Sequence, residues 1–311
     1  MAQGSLSSRH AAWAIGGAGL VAACAVATPA LAANKSLPVA VASLPADVTV
    51  VASLDAAIAR STKLYSSTIP TLLSMSGKQT GLDDIKKTCG FDPITAIDDV
   101  TLAIDANKDG AAFIGVNITE SSFTSCLVSI AKQKGETLTT SKSGNEYTVT
   151  TSKGTFYFAW LTGGVLAITR DPKDEPLLAR FTGGAGALAT NKAMTSWIGM
   201  ADPNALAMVA TTRSFSQSGL SLDGGVASIV YKSGSFDAKV TIEVGSQSKA
   251  EMIEKGAGAL KNLATGRGPT ELQNILGTVD VKASGTKVVA KASGTETEVT
   301  AVVGWLVKGM P

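Results

Sequence analysis

Histidine is almost missing from this chain: His10 is the only one among 311 residues. It lies in an N-terminal stretch that reads as an export signal, so the remainder carries no imidazole. That excludes Ser-His-Asp and Cys-His nucleophile systems and every zinc site built on histidine. Cysteine is nearly as scarce, with Cys24, Cys89 and Cys126 alone. The two beyond the signal are too few for an all-cysteine zinc site. Neither sign of charge dominates: 27 basic residues face 25 acidic ones. Near neutrality gives no electrostatic case for nucleic acid or for an anionic membrane surface. Aromatic residues make up 5% of the chain and are needed for its core. Beyond residue 33 no apolar run approaches the roughly 18 residues of a membrane-spanning helix.

What is present begins with the first 32 residues. Arg9 supplies positive charge, Ala11 to Ala27 run apolar, and Pro29 precedes the small-x-small triplet Ala30-Leu31-Ala32. This is the layout of a bacterial secretory signal peptide cut after Ala32. The same stretch holds Val21-Ala-Ala-Cys24, which fits a lipoprotein signal with Cys24 as the lipidated residue. An uncleaved anchor is the third reading. The expected location is exported, periplasmic or extracellular, with lipid anchoring in the envelope as the alternative. Contact with membrane is expected only through that N-terminal lipid or an uncleaved signal.

An oxidising compartment makes Cys89 and Cys126 a disulfide candidate. They enclose about 36 residues, for which the chain-entropy model gives on the order of 3 to 4 kcal/mol. Two buried free thiols are the alternative. Asp105-Ala-Asn107-Lys-Asp109-Gly110 matches the first half of a calcium loop, which makes Asp105, Asn107 and Asp109 candidate metal ligands. Val116 stands where the bidentate Glu is needed, and a hairpin tip explains the same residues. Gly184-Ala-Gly186-Ala-Leu-Ala189 matches a loose dinucleotide fingerprint, but no strand-helix-strand unit surrounds it, so it reads as a glycine linker. Asp83-Asp84 and Asp98-Asp99 are paired carboxylates that read as helix-start and turn residues. Trp160, Trp197 and Trp305 with Phe156, Tyr157 and Phe158 could line a ligand site, with core as the simpler role. No catalytic constellation emerges, and the sequence calls for no cofactor.

Residues 33–311 divide into a flexible N-terminal segment (33–43) and two halves, 44–190 and 191–311. In each half a β-branched strand leads to hairpin, helix and hairpin. The first has strands at 48–54, 100–105 and 111–118, a helix burying Phe123, Cys126, Leu127, Ile130 and Ala131 behind a Ser121 or Ser122 cap, then consecutive strands to Thr169. A helix over 55–73 is expected to break at Pro70. The second half has strands at 204–212, 226–232 and 236–244. A Ser248-x-x-Glu251 capping box then opens a helix, a hairpin around Gly285 follows, and a Thr295/Glu298 box opens the last helix. The predicted class is α+β: two similar halves, each an antiparallel sheet with helices packed on one face.

Leu44-Pro-Ala-Asp-Val-Thr-Val-Val-Ala-Ser-Leu-Asp55, followed by Cys89-Gly-Phe-Asp-Pro93 through Asp105, resembles uncharacterised exported proteins of myxobacterial type. These form a domain-of-unknown-function family with a Pro-Ala-Asp opening before the first strand. The resemblance implies an exported α+β domain and assigns no activity. The expected function is non-catalytic, a structural or binding role in the periplasm or at the cell surface, with the partner unknown. The alternatives are a periplasmic carrier of an apolar ligand and a histidine-independent hydrolase using carboxylates or a Ser-Lys pair.

Overall fold

A computed structural model describes residues 34–76, 79–217, 220–264 and 269–308. The signal segment, its Ala32 cleavage point and Cys24 lie outside the described residues. The fold is α+β, with one large antiparallel sheet and eleven α-helices among the described residues. No described helix is long and apolar enough to cross a membrane.

The chain opens with helix α1 (Ser36–Ser43) and strand β1 (Val48–Asp55), whose run of Val, Thr and Leu suits a strand buried on both faces. Four short helices follow: α2 (Ala56–Ala59), α3 (Lys63–Ser76), α4 (Gln79–Cys89) and α5 (Pro93–Ala96). β2 (Ile97–Asp105) and β3 (Gly110–Val116) form a hairpin that leads into α6 (Glu120–Gln133). Then come β4 (Thr139–Ser143), β5 (Glu146–Thr151), β6 (Gly154–Leu161) and β7 (Val165–Thr169). Helices α7 (Glu175–Thr182) and α8 (Lys192–Met200) lead to β8 (Ala207–Thr211). A small separate hairpin, β9 (Phe215–Gln217) and β10 (Leu220–Leu222), precedes β11 (Gly225–Lys232) and β12 (Ser235–Glu243). The chain ends through α9 (Gln247–Ala264), α10 (Thr270–Thr278), β13 (Asp280–Ser284), β14 (Lys287–Thr295) and α11 (Glu296–Lys308).

Twelve strands join in the order β13-β14-β12-β11-β8-β1-β2-β3-β7-β6-β5-β4. The two stretches expected to carry separate sheets thus meet at the centre, where β1 pairs antiparallel with β8 from Val50 opposite Thr211 to Leu54 opposite Ala207. The main core is shared as well: Val51 and Phe113 pack with Met194, Trp197, Met208 and Val226.

Helices cover both faces, not one. On the first face α1, α7 and α8 bury Ala40, Leu178, Phe181 and Met194 against Val51, Ala103 and Val165. On the other, α2, α3 and α11 close over Leu54, Ala207 and Phe236, α6 sets Phe123 and Leu127 against Phe158 and Leu166, and α9 packs on Val288. The physical reason lies in the central strands. β1 is buried through most of its length, so its odd and even positions both need apolar cover.

Several local expectations shift. The break expected at Pro70 falls at residues 60–62, because the hydroxyl of buried Thr62 accepts from the Tyr65 N–H and starts α3 there, while Pro70 sits inside the helix. Thr119, not a serine, caps α6 by accepting from the Ser122 N–H. Ser246 Oγ, two residues before the expected serine, accepts from Lys249 at the start of α9. The Thr295/Glu298 box forms as expected, with reciprocal bonds at 2.8 and 3.3 Å. At the C-terminal edge of the sheet, the Ala283 N–H of β13 donates to Glu254 Oε2 of α9 at 3.0 Å.

Candidate functional sites

The expected flexible segment before residue 44 is instead a docked helix. The helix lacks a capping side chain on its own Lys35, and a carboxylate from the sheet replaces it. Asp99, fully buried on β2, accepts from the Lys35 N–H at 2.9 Å and from the Ser36 N–H at 2.7 Å. This satisfies two donors that every helix start leaves orphaned and sets negative charge at the positive end of α1. A relay of polar side chains continues inward: Ser36 Oγ bonds Thr101 Oγ1, which donates to Ser53 Oγ, which accepts from Asn34. Outside it, Lys35 Nζ pairs with Asp98 at 2.8 Å. The Asp98-Asp99 pair is therefore a helix anchor and not the solvated turn its sequence suggests.

Asp55 sits directly opposite Asp99 across β1 and β2, and its Oδ1 accepts from the Ile58 N–H to start α2. Burial pushes both carboxyls up from their ordinary range, and the charge of Asp99 adds to the effect on Asp55. The carboxylate of Asp99 leaves no room beside Gly115: a Cβ there would lie 2.5 Å from Asp99 Oδ2. Both acids are spent on backbone N–H groups of helix starts, which is a structural use of buried charge.

The second end of α1 meets the glycine stretch. Gly184 N–H donates to Ser43 O at 2.8 Å and Gly186 N–H to Ala42 O at 2.7 Å. The expected linker is thus a seat for α1, and Gly184 permits a backbone-to-backbone approach that a side chain would block. Neither a strand before it nor a helix start at Gly184 supports dinucleotide binding.

Cys89 at the end of α4 and Cys126 in α6 sit at disulfide distance, with Cα atoms 4.8 Å apart. The candidate calcium loop closes differently. Asp105 is fully buried, its Oδ1 accepts from the Asp109 N–H, and its Oδ2 accepts from Arg180, which also pairs with Asp47. Both oxygens of Asp105 are thereby used in holding a hairpin tip. Among the described residues, no three acidic, cysteine or histidine side chains converge on one point. Asp83 and Asp84 project from α4 into solvent. The aromatic candidates disperse: Phe156, Phe158 and Trp160 join Phe123 over α6, Tyr157 and Trp197 join the main core, and Trp305 is exposed on α11.

One feature was not legible in the sequence. Beyond α8, the first face of β12 and β14 carries Asp237, Lys239, Lys291 and Ser293. An open groove of about 430 Å³ crosses it, lined by Asp202, Ser228, Asp237, Lys239 and Lys291 among others. Ser228, Lys239 and Lys291 stand in one row across β11, β12 and β14. Only the pairing register brings them together, since 63 positions separate the first from the last.

No protein-family model matches the chain, and neither does the sequence of any curated protein. Among solved structures the chain is similar to crystal forms of TP0453. Form III superposes with a TM-score of 0.44 at 8% identity, covering 86% of this chain and 97% of that one. Form IV gives 0.45 at 9% identity, covering 85% and 95%.

Proposed function

We propose that this is an exported protein with a structural or binding role, not a catalytic one, in the periplasm or at the cell surface. The observation that carries the reading is the Cys89–Cys126 pair. Bonded cysteines persist in oxidising compartments and are rare inside the cell, which agrees with the signal-like N-terminus. Asn34 and Lys35 are pinned to the sheet by Ser53, Asp98 and Asp99. Attachment to membrane, on this reading, is confined to a lipid on Cys24 or a retained signal.

The same proposal takes the sheet as a repeated plan. The order β1-β2-β3-β7 on one side is matched by β8-β11-β12-β14 on the other, each with a helix (α6, α9) between its third and fourth members. Mass spectrometry of the native protein after cell fractionation tests the reading. The expected result is an envelope or secreted form with an N-terminal peptide beginning at Ala33 and a mass two hydrogens below the reduced chain. A cytoplasmic chain that keeps Met1 and free thiols would overturn it.

A further inference from the structure

The polar groove gives the binding role a ligand class. On the first face of the sheet, Lys239 of β12 lies directly opposite Lys291 of β14, and Ser228 of β11 is the next residue in the row. Side chains so paired have Cβ atoms about 5 Å apart, and like charges there repel. Among the described residues neither lysine is within ion-pair distance of a carboxylate. Asp280 of β13 lies directly opposite Lys291 but pairs with Lys282 at 3.5 Å. Ser228 is only 3% exposed, and its Oγ accepts a long contact of 3.5 Å from the Asp202 N–H. Its own O–H donates to no group among the described residues. A buried hydroxyl whose proton goes to no described group, beside two ammonium groups that no carboxylate reaches within ion-pair distance, is an arrangement that an oxyanion completes.

The rest of the lining narrows the ligand. Asp237, exposed on the same face, and Asp202 at the rim supply acceptors and repel a bare polyanion. A volume of about 430 Å³ exceeds what a simple inorganic ion fills. We infer that this groove binds a hydroxylated organic acid of the uronic-acid class. Its carboxylate bridges Lys239 and Lys291, and its hydroxyls face Asp237 and Asp202. The inference deepens the binding role proposed above and rests on it.

Titration calorimetry on the mature chain decides the matter, with D-glucuronate as probe and glucose and sulfate as controls. Glucuronate is expected to bind, glucose not to bind, and sulfate to bind more weakly than glucuronate. K239Q and K291Q should each weaken glucuronate roughly tenfold or more, because a charge-assisted bond is lost, and S228A several-fold. The three independent variants keep the test decisive should one misfold. Absence of glucuronate binding, equal binding of glucose or sulfate, or unchanged affinity in both lysine variants would overturn the inference. The fractionation and mass measurement would still decide export separately.

Discussion

Two buried carboxylates, Asp55 and Asp99, lie opposite each other across the central strands, and their burial raises both above the ordinary carboxylate value of 3.8. A carboxyl raised by folding holds its proton more tightly in the folded chain. Its contribution is therefore most favourable below the unfolded value and is lost as pH climbs through the folded one. D55N keeps the oxygen that accepts from Ile58 but carries no charge. Its stability relative to the parent should rise as pH climbs above the ordinary carboxylate value, as urea unfolding at several pH values would show. Steric pressure makes a second point. A Cβ on Gly184 would lie 2.3 Å from Ser43 O, a rigid backbone atom. G184A should therefore cost about 1 to 3 kcal/mol and loosen α1, seen as a lower melting temperature and faster amide exchange over residues 36–43.

At the level of elements, the Cys89–Cys126 bond ties α4 to α6 across a sequence separation of 37. Replacing both cysteines by serine should cost about 3 to 4 kcal/mol in a chain-entropy account, read as a lower urea midpoint. The elements themselves were largely legible. Alternation in Val100–Asp105, the Ser233-Gly234 turn and the Thr295/Glu298 box specify their structures locally, and the structure keeps them. What was not legible depends on distant partners. The apolar run Leu37-Pro-Val-Ala-Val41 becomes helix α1 behind a local cap, Asn34 Oδ1 accepting from the Leu37 N–H. It docks on the sheet because Asp99, 63 residues on from Ser36, accepts the Lys35 and Ser36 N–H groups. The glycines at 183–186 read as a linker because nothing local reveals the helix that seats on them. The Ser228–Lys239–Lys291 row exists only through strand register, which sequence spacing cannot express. The helices on both faces follow from β1 lying at the centre of one sheet, where two separate sheets were expected.

Across the whole molecule, that shared sheet ties the two stretches into one folding unit. Val51 and Phe113 from the first pack with Met194, Met208 and Val226 from the second. Residues 33–190 made alone would lack β8 as the partner of β1 and the helix over Val51. That fragment is expected to stay unfolded by circular dichroism and amide dispersion. The intact chain should melt in one transition, with calorimetric and van't Hoff enthalpies in agreement. The open sheet has two ends, and they are not equivalent. At β13 the Ala283 N–H is already taken by Glu254, whereas β4 runs exposed from Thr139 to Ser143. Strand pairing between copies through β4 joins the fully exposed edge of each, and pairing confined to that edge ends at two molecules.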